Sequence, residues 1–405
     1  MTATATTHGM DKTRVTPDWL PLRLEEVRAL LARYEGCGEP IEIRSVSPRP
    51  FSAASVVSTS SGAVFIKRQA KLVRDREGLL EEHRFLQHLL EHGAPVARIL
   101  ATAEGETAVE IGDWTYEVHE AATGHGAAAE VDIYQDALSW TPFLSSSHAY
   151  SAGRALAGLH LAAEGFQEPA RKAQPLVASF SIFAGAHPVQ RMKRYVIARP
   201  ALEMDVATRR SCAEALELLA PFHERLCPLL PSLAPLWTHN DLHASNLLWS
   251  NASLDAQVMK VIDFGLADRT TAVHDIAQMI ERNIVEWLEL SGEEQGSGSR
   301  ANSGADIPVH LDQLQAMLDG YQSVRRLSDA EAAALAPMTA LCHAEFALTE
   351  ADYFLGVLHS EANARLCTEG YLVGHARWFR GEGGQRLLQA IDEWAETRTG
   401  ARTGK

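Results

Sequence analysis

The stretch at residues 238–250 reads THNDLHASNLLWS, and the run at residues 258–265 reads VMKVIDFG. The first places His239, Asp241 and Asn246 in the order HxDxxxxN. The second closes a short apolar strand on Asp263, 22 residues after Asp241. Two carboxylates and a carboxamide in this order meet the two needs of phosphoryl transfer from a nucleotide. One carboxylate must accept or orient the proton of an attacking hydroxyl, and hard oxygen ligands must hold Mg²⁺ against the phosphates. In this layout Asp241 is the base, His239 shares its catalytic loop, and Asn246 and Asp263 are the metal ligands. An HxD or a DFG alone arises by chance, and His239 alone would pass for a core histidine. Loop, strand and metal-binding Asp in sequence carry the reading.

Working upstream, residues 64–67 read VFIK and end a strand-like run at residues 63–67, joined by the Ser60-Ser61-Gly62 turn to a run at residues 54–59. Such a pair reads as a hairpin. A helical pattern follows over residues 75–92, with Leu79, Leu86 and Leu90 on one stripe and Gly93 where a left-handed cap is favoured. Glu82 lies on that apolar face, where a carboxylate is costly unless paired. Lys67 is the partner expected for it, with Glu81 as the competing carboxylate. Further strand-like runs occupy residues 41–46, 98–102, 107–111 and 114–119, and a helix is expected within residues 19–34.

Downstream of residue 120 the pattern turns helical. Candidates span residues 150–163, 206–229, 275–290, 311–323, 330–348 and 385–396, and two short β-like runs at residues 246–249 and 258–263 carry the site. Residues 291–305 are poor in apolar side chains and rich in Gly, Ser and Glu, the composition of a disordered loop. The domain division expected is a tail and helix over residues 1–40, a nucleotide-binding lobe over residues 41–120, and a larger lobe over residues 121–405.

Composition bounds the rest. The chain has 405 residues, 46% hydrophobic and 22% charged, with 52 acidic against 37 basic side chains and a formal charge of −15. That balance suits a folded globular protein and argues against nucleic acid as a partner, since phosphate backbones call for clustered Lys and Arg. Five dispersed cysteines without a CxxC pair fit reduced thiols. With no signal-like apolar segment and no membrane-length run, the expectation is a cytoplasmic protein without membrane contact, monomeric or homodimeric.

With these motifs in hand, the chain resembles the aminoglycoside phosphotransferase and choline kinase superfamily, small-molecule relatives of the protein kinases. The resemblance rests on VFIK, the helix with Glu82, the segment YEVHEAATG at residues 116–124, AGRALAGLH at residues 152–160, HNDLHASN, IDFG, and HDIA at residues 274–277. It implies an α+β, bilobal, protein-kinase-like fold, with a small antiparallel sheet and one helix in the first lobe and a mainly helical second lobe. It implies a small-molecule kinase using Mg²⁺ with ATP or GTP. Its acceptor would be an aminoglycoside, a nucleoside antibiotic, or an amino alcohol or sugar metabolite. Lys67 and Glu82 would serve the nucleotide, Glu120 and Ala122 would meet its base through the backbone, and Asp275 would brace the catalytic loop. Where a glycine-rich loop is usual, residues 49–55 read RPFSAAS, so Ser52 and Ser55 are the phosphate-loop candidates. Acidic Glu345 and Asp352, with Tyr353, are candidates for an amine of the acceptor. A protein Ser/Thr kinase is the alternative reading, with a non-catalytic nucleotide-binding relative as another. Against the first, only eleven residues separate Asp263 from Asp275, too few for an activation segment. Against the second, Lys67, Asp241, Asn246 and Asp263 are all present.

Overall fold

The structure is a computed structural model, and it describes residues 7–8, 14–15, 17–46, 51–121, 140–172, 175–288 and 307–400. It divides into two compact units. One comprises Met1–Ile133 with Arg171–Gln174, the other Tyr134–Ala170 with Pro175–Lys405. Part of the Ala- and Gly-rich stretch after residue 121, the expected loop at residues 291–305, and Ala122 lie outside the described residues.

The first unit is built on a five-stranded antiparallel sheet in the order β3-β4-β5-β7-β6. Its strands are β3 (Pro40–Val46), β4 (Ala53–Thr59), β5 (Gly62–Ala70), β6 (Ala108–Ile111) and β7 (Trp114–Glu120). A separate two-residue ladder pairs β1 (Thr7–His8) with β2 (Arg14–Val15). The expected strand at residues 98–102 reduces to a single bridge between Ile99 and His119. Strand side chains alternate between faces. Ala53, Val57, Val64, Ile66, Tyr116 and Val118 therefore share the face covered by Val27, Leu30 and Leu31 of α1 (Leu24–Leu31). Phe65, Lys67, Glu117 and His119 fall on the other face, where His83 of α2 (Arg76–Glu91) meets Glu117. Asp75 caps α2 by accepting from the Gly78 amide at 2.8 Å.

The second unit is mainly helical. Its helices are α3 (Ser146–Ala163), α4 (Pro188–Ile197), α5 (Pro200–Met204), α6 (Val206–Leu226), α7 (Ala272–Ile284), α8 (Leu311–Val324), α9 (Asp329–Leu341), α10 (His343–Gly356), α11 (Glu361–Arg365), α12 (Gly374–Arg380) and α13 (Glu382–Gly400). A π-helical stretch, Leu366–Val373, links α11 to α12. The single helix expected over residues 330–348 is two, α9 and α10, meeting at Cys342. Two hairpin-like ladders pair β8 (Pro235–Thr238) with β11 (Asp268–Thr271) and β9 (Leu247–Trp249) with β10 (Val258–Val261), all antiparallel. These four short strands set both ends of the catalytic loop.

Helices α3 and α8 pack backbone to backbone because glycines face each other's partner. A Cβ on Gly153 would lie 2.0 Å from the Met317 carbonyl oxygen, and one on Gly320 would lie 2.1 Å from that of Tyr150. The close approach brings His160 of α3 to the Tyr321 hydroxyl of α8 at 2.7 Å. His160 then reaches the site through its other ring nitrogen.

Candidate active site

Asp275 organises the catalytic loop of the helical unit. It sits in the first turn of α7, fully buried, behind the Thr271 cap. Its Oδ2 accepts the His239 amide at 2.9 Å and lies 3.1 Å from His160 Nε2, while its Oδ1 accepts the Asn240 amide at 2.8 Å. Burial alone would raise this carboxyl, but the His160 hydrogen bond, the His160 and His239 charges and the His239 amide hold it below its ordinary value. Asn240 takes a left-handed φ of 61°, so the chain turns sharply there. Its side-chain oxygen accepts from Thr238 at 2.8 Å and Thr270 at 3.1 Å, joining the loop to β8 and β11.

His239 is a positioning residue. Its Nδ1 accepts the Asp241 amide at 3.2 Å, its Nε2 lies 3.0 Å from the Ile262 carbonyl, and its ring packs on Phe264. Both nitrogens are engaged by backbone and the residue is 2% exposed. These contacts fix the loop to the end of β10.

Asp241 and Asn246 are brought together. Asn246 Nδ2 donates to the Asp241 carbonyl at 2.8 Å and lies 3.4 Å from its Oδ2. With Nδ2 turned toward Asp241, the Asn246 amide oxygen is the atom available to a cation. The Ile262 amide donates to the Asn246 carbonyl at 3.0 Å, tying the loop to the strand that delivers Asp263. Asp263 itself is exposed and left-handed at φ 63°. A non-glycine residue pays for that conformation, and such strain gathers at functional sites. Among the described residues no group of three or more His, Cys, Asp or Glu side chains could hold a metal unaided. Two protein oxygens fit Mg²⁺, which keeps waters and binds through one or two carboxylates plus substrate phosphates.

Arg282, which sequence reasoning did not single out, lies on α7 two turns after Asp275. It is 1% exposed and hydrogen-bonds Asp241 Oδ1 through Nη1. Its guanidinium stacks over Phe346 of α10 at 3.9 Å and lies 5.4 Å from the Trp140 ring. Burial alone would depress this group, but Asp241, Tyr371, Glu281 and Glu350 together raise it, so it stays charged. An Arg in a helical run carries no signature of its own; seven-residue spacing from Asp275 is the only signal it leaves.

The acceptor candidates on α10 have contacts within the protein. Glu345 accepts the Ile182 amide, Asp352 lies 3.7 Å from Arg199, and Tyr353 is fully buried beside Phe354. The α10 residue stacked on Arg282 is instead Phe346, with Glu350 one turn on adding to its field. Glu345 and Asp352 are thus engaged by the Ile182 amide and Arg199, and Tyr353 is packed in the core.

In the sheet unit, Lys67 lies 3.9 Å from Glu117, directly across the β5–β7 ladder. The carboxylate expected for it, Glu82, lies 3.8 Å from Arg171, which also approaches Glu81 at 3.5 Å and donates to the Gly78 carbonyl at 2.7 Å. Arg74 is buried in the same network, and burial, helped by Arg171, lowers its guanidinium to about 9. The pairing of Glu82 is thus corrected: its burial is matched by arginines. Ser55 is corrected too. It pairs with Ile66 on the α1-covered face, 2% exposed, whereas Lys67 faces the other way. Ser52 is half-buried in the bend before β4. The Glu120 amide donates to the Arg98 carbonyl at 2.9 Å, and its side chain pairs with Arg98.

A small antiparallel sheet with a mainly helical unit carrying a braced HxDxxxxN loop defines the kinase-like class of phosphotransferases. A sequence model of the phosphotransferase enzyme family (APH) matches residues 50–306, more than half of the chain. The chain belongs to that family and is a small-molecule kinase. Solved structures share the fold. A microcompartment-associated aminopropanol kinase is 16% identical over 91% of this chain and 99% of its own, with a TM-score of 0.56. An amicoumacin kinase in complex with AMP-PNP, Ca²⁺ and Ami is 14% identical over 88% and 93%, with a TM-score of 0.55. An aminoglycoside phosphotransferase from Alicyclobacillus acidocaldarius is 17% identical over 94% and 98%, with a TM-score of 0.50. No curated protein matches the chain. Among the described residues no helix is long and apolar enough to cross a membrane.

Proposed function

We propose that the chain transfers the γ-phosphoryl group of ATP or GTP to a hydroxyl of a small molecule, with Asp241 as the base. The observation that carries this reading is the loop held by Asp275, which sets Asp241 and Asn246 side by side. Asn246 and Asp263 would hold Mg²⁺, which when bound would neutralise charge on the phosphate oxygens. Lys67 serves the α- and β-phosphates, and Ser52 lies in the phosphate loop. Glu120 and Ala122 remain the backbone contacts for the base. The acceptor hydroxyl gives its proton to the Asp241 carboxylate as the new O–P bond forms, and the bond from the γ-phosphorus to the bridging oxygen of the departing nucleoside diphosphate breaks.

A small acceptor is favoured because the eleven residues between Asp263 and Asp275 are occupied. Asp268–Thr271 is committed to the ladder with Pro235–Thr238, and Thr271 caps α7. No peptide platform fits there. Arg282 pairs with Asp241 and is itself bordered by Phe346 and Trp140.

Titration calorimetry with Mg-ATP and Mg-GTP tests the metal arm. Asp263→Ala is expected to lose the Mg²⁺-dependent part of nucleotide affinity, since Asn246 alone offers one neutral oxygen. Equal affinity in variant and wild type would remove Asp263 from the metal site.

A further inference from the structure

We propose that Glu117 is the positioning residue for Lys67, holding its ammonium in the phosphate-contacting pose from the sheet instead of from helix α2. The proposal rests on the reading of Lys67 given above. Residues directly opposite in an antiparallel ladder are near neighbours on one face, and Lys67 and Glu117 are such a pair. Glu117 is 1% exposed, yet every side of its carboxylate has a use. Oε1 faces Lys67 Nζ at 3.9 Å. Oε2 lies 3.1 Å from His83 Nε2 and 2.9 Å from His119 Nε2.

Thr107 and Phe65 hold the two histidines in place. His83 Nδ1 lies 2.9 Å from the Thr107 hydroxyl. The contact at Nδ1 orients the ring so that its Nε2 faces Glu117. His119 reaches the same oxygen from two residues along β7 and rests its ring against Phe65. Two imidazoles on one oxygen leave the other for the lysine. Burial alone would raise the Glu117 carboxyl. The hydrogen bonds from His119 and His83, with the charges of His119 and Lys67, pull it well below its ordinary value, so it remains an anion.

Glu82 is the rival, and its surroundings give it other cationic neighbours. It is 2% exposed, 3.8 Å from Arg171, and it belongs to the network that includes Arg74. Its charge balances those guanidinium groups and ties α2 to the Arg171 segment. A partner on β7 gives the lysine a different property: its position is set by sheet register and not by the placement of α2.

The test measures Mg-ATP dissociation constants by calorimetry, with Tm recorded for each variant. Lys67→Ala is expected to weaken binding about tenfold, and Glu117→Gln by a similar factor, with the double variant little worse than either. Glu82→Gln is expected to lower Tm while changing nucleotide affinity less than about twofold. If Glu117→Gln fails to fold, Glu117→Asp carries the test, since it keeps the charge but withdraws it from Lys67 by a methylene. Weaker nucleotide binding at unchanged Tm supports the assignment. Wild-type affinity in the Glu117 variant, or loss confined to Glu82→Gln, overturns it while Lys67→Ala still shows the loss. If Lys67→Ala itself binds nucleotide normally, the reading of Lys67 falls and the proposal with it.

Discussion

The carboxylate of Asp241, partly exposed, and the guanidinium of Arg282, 1% exposed, form an ion pair, and the Arg282 plane is seated on Phe346. The pair fixes one carboxylate oxygen and leaves the other beside Asn246. Breaking such a pair from one side leaves an uncompensated charge. Arg282→Met is therefore expected to cut kcat by about 10² while Mg-ATP affinity changes little, with Arg282→Lys recovering part of the rate. Steady-state kinetics beside calorimetry reads both. Unchanged kcat would show that Asp241 needs no such clamp.

The brace at Asp275 makes a sharper demand. Both of its oxygens accept backbone N–H groups of the loop, so an amide in its place would point a donor at a donor. Asp275→Asn is expected to be nearly as harmful as Asp275→Ala, each costing about 2–4 kcal/mol of stability. Denaturant melts of the two variants decide this. A near-wild-type Asn variant would mean that side-chain shape, and neither the charge nor the second acceptor, holds the loop.

Much of this site is legible in the sequence because it is local. Asp241, Asn246 and Asp263 stand on one loop and one strand end, and order along the chain preserves their chemistry. Asp275 follows on the next helix, close enough to count by residues. What sequence patterning misses is register and facing. Lys67 and Glu117 are fifty residues apart and become neighbours only through ladder pairing. Ser55 differs from Ala54 by one position, which in a strand means the opposite face. On α10 the period allows several faces, and only packing selects the one bearing Phe346 over that bearing Glu345 and Asp352. The apolar run at residues 330–348 likewise hides the break at Cys342.

Glu345 provides a pH signature. Burial raises its carboxyl to about 7, although hydrogen bonds from Ile182 and Ser181 and the charge of Arg199 pull the other way. A folded-state value above the ordinary 4.5 means that the folded chain keeps a proton the unfolded chain has released. The contribution is therefore favourable below about pH 4.5 and is lost as pH rises toward 7, by about 3 kcal/mol at most. Glu281, also raised to about 7 by burial, adds to the same slope. Asp352, raised to about 6 by burial, adds to it as well, and Glu345→Gln keeps an acceptor for the Ile182 amide while removing one of these titrations. Its Tm is expected to fall less than that of wild type between pH 5 and pH 8. Parallel Tm profiles would contradict the burial argument.

Phosphorylation of a small-molecule hydroxyl through Asp241 can be measured directly. The direct measurement incubates wild type and Asp241→Asn with Mg-ATP or Mg-GTP and a panel of hydroxylated amines, sugars and antibiotics, then detects phosphorylated acceptor by mass spectrometry. The account predicts an acceptor phosphorylated by wild type, a rate at least about 10² lower in Asp241→Asn, and nucleotide affinity nearly equal in the two proteins. An Asp241→Asn variant that keeps more than about a tenth of the wild-type rate would contradict it.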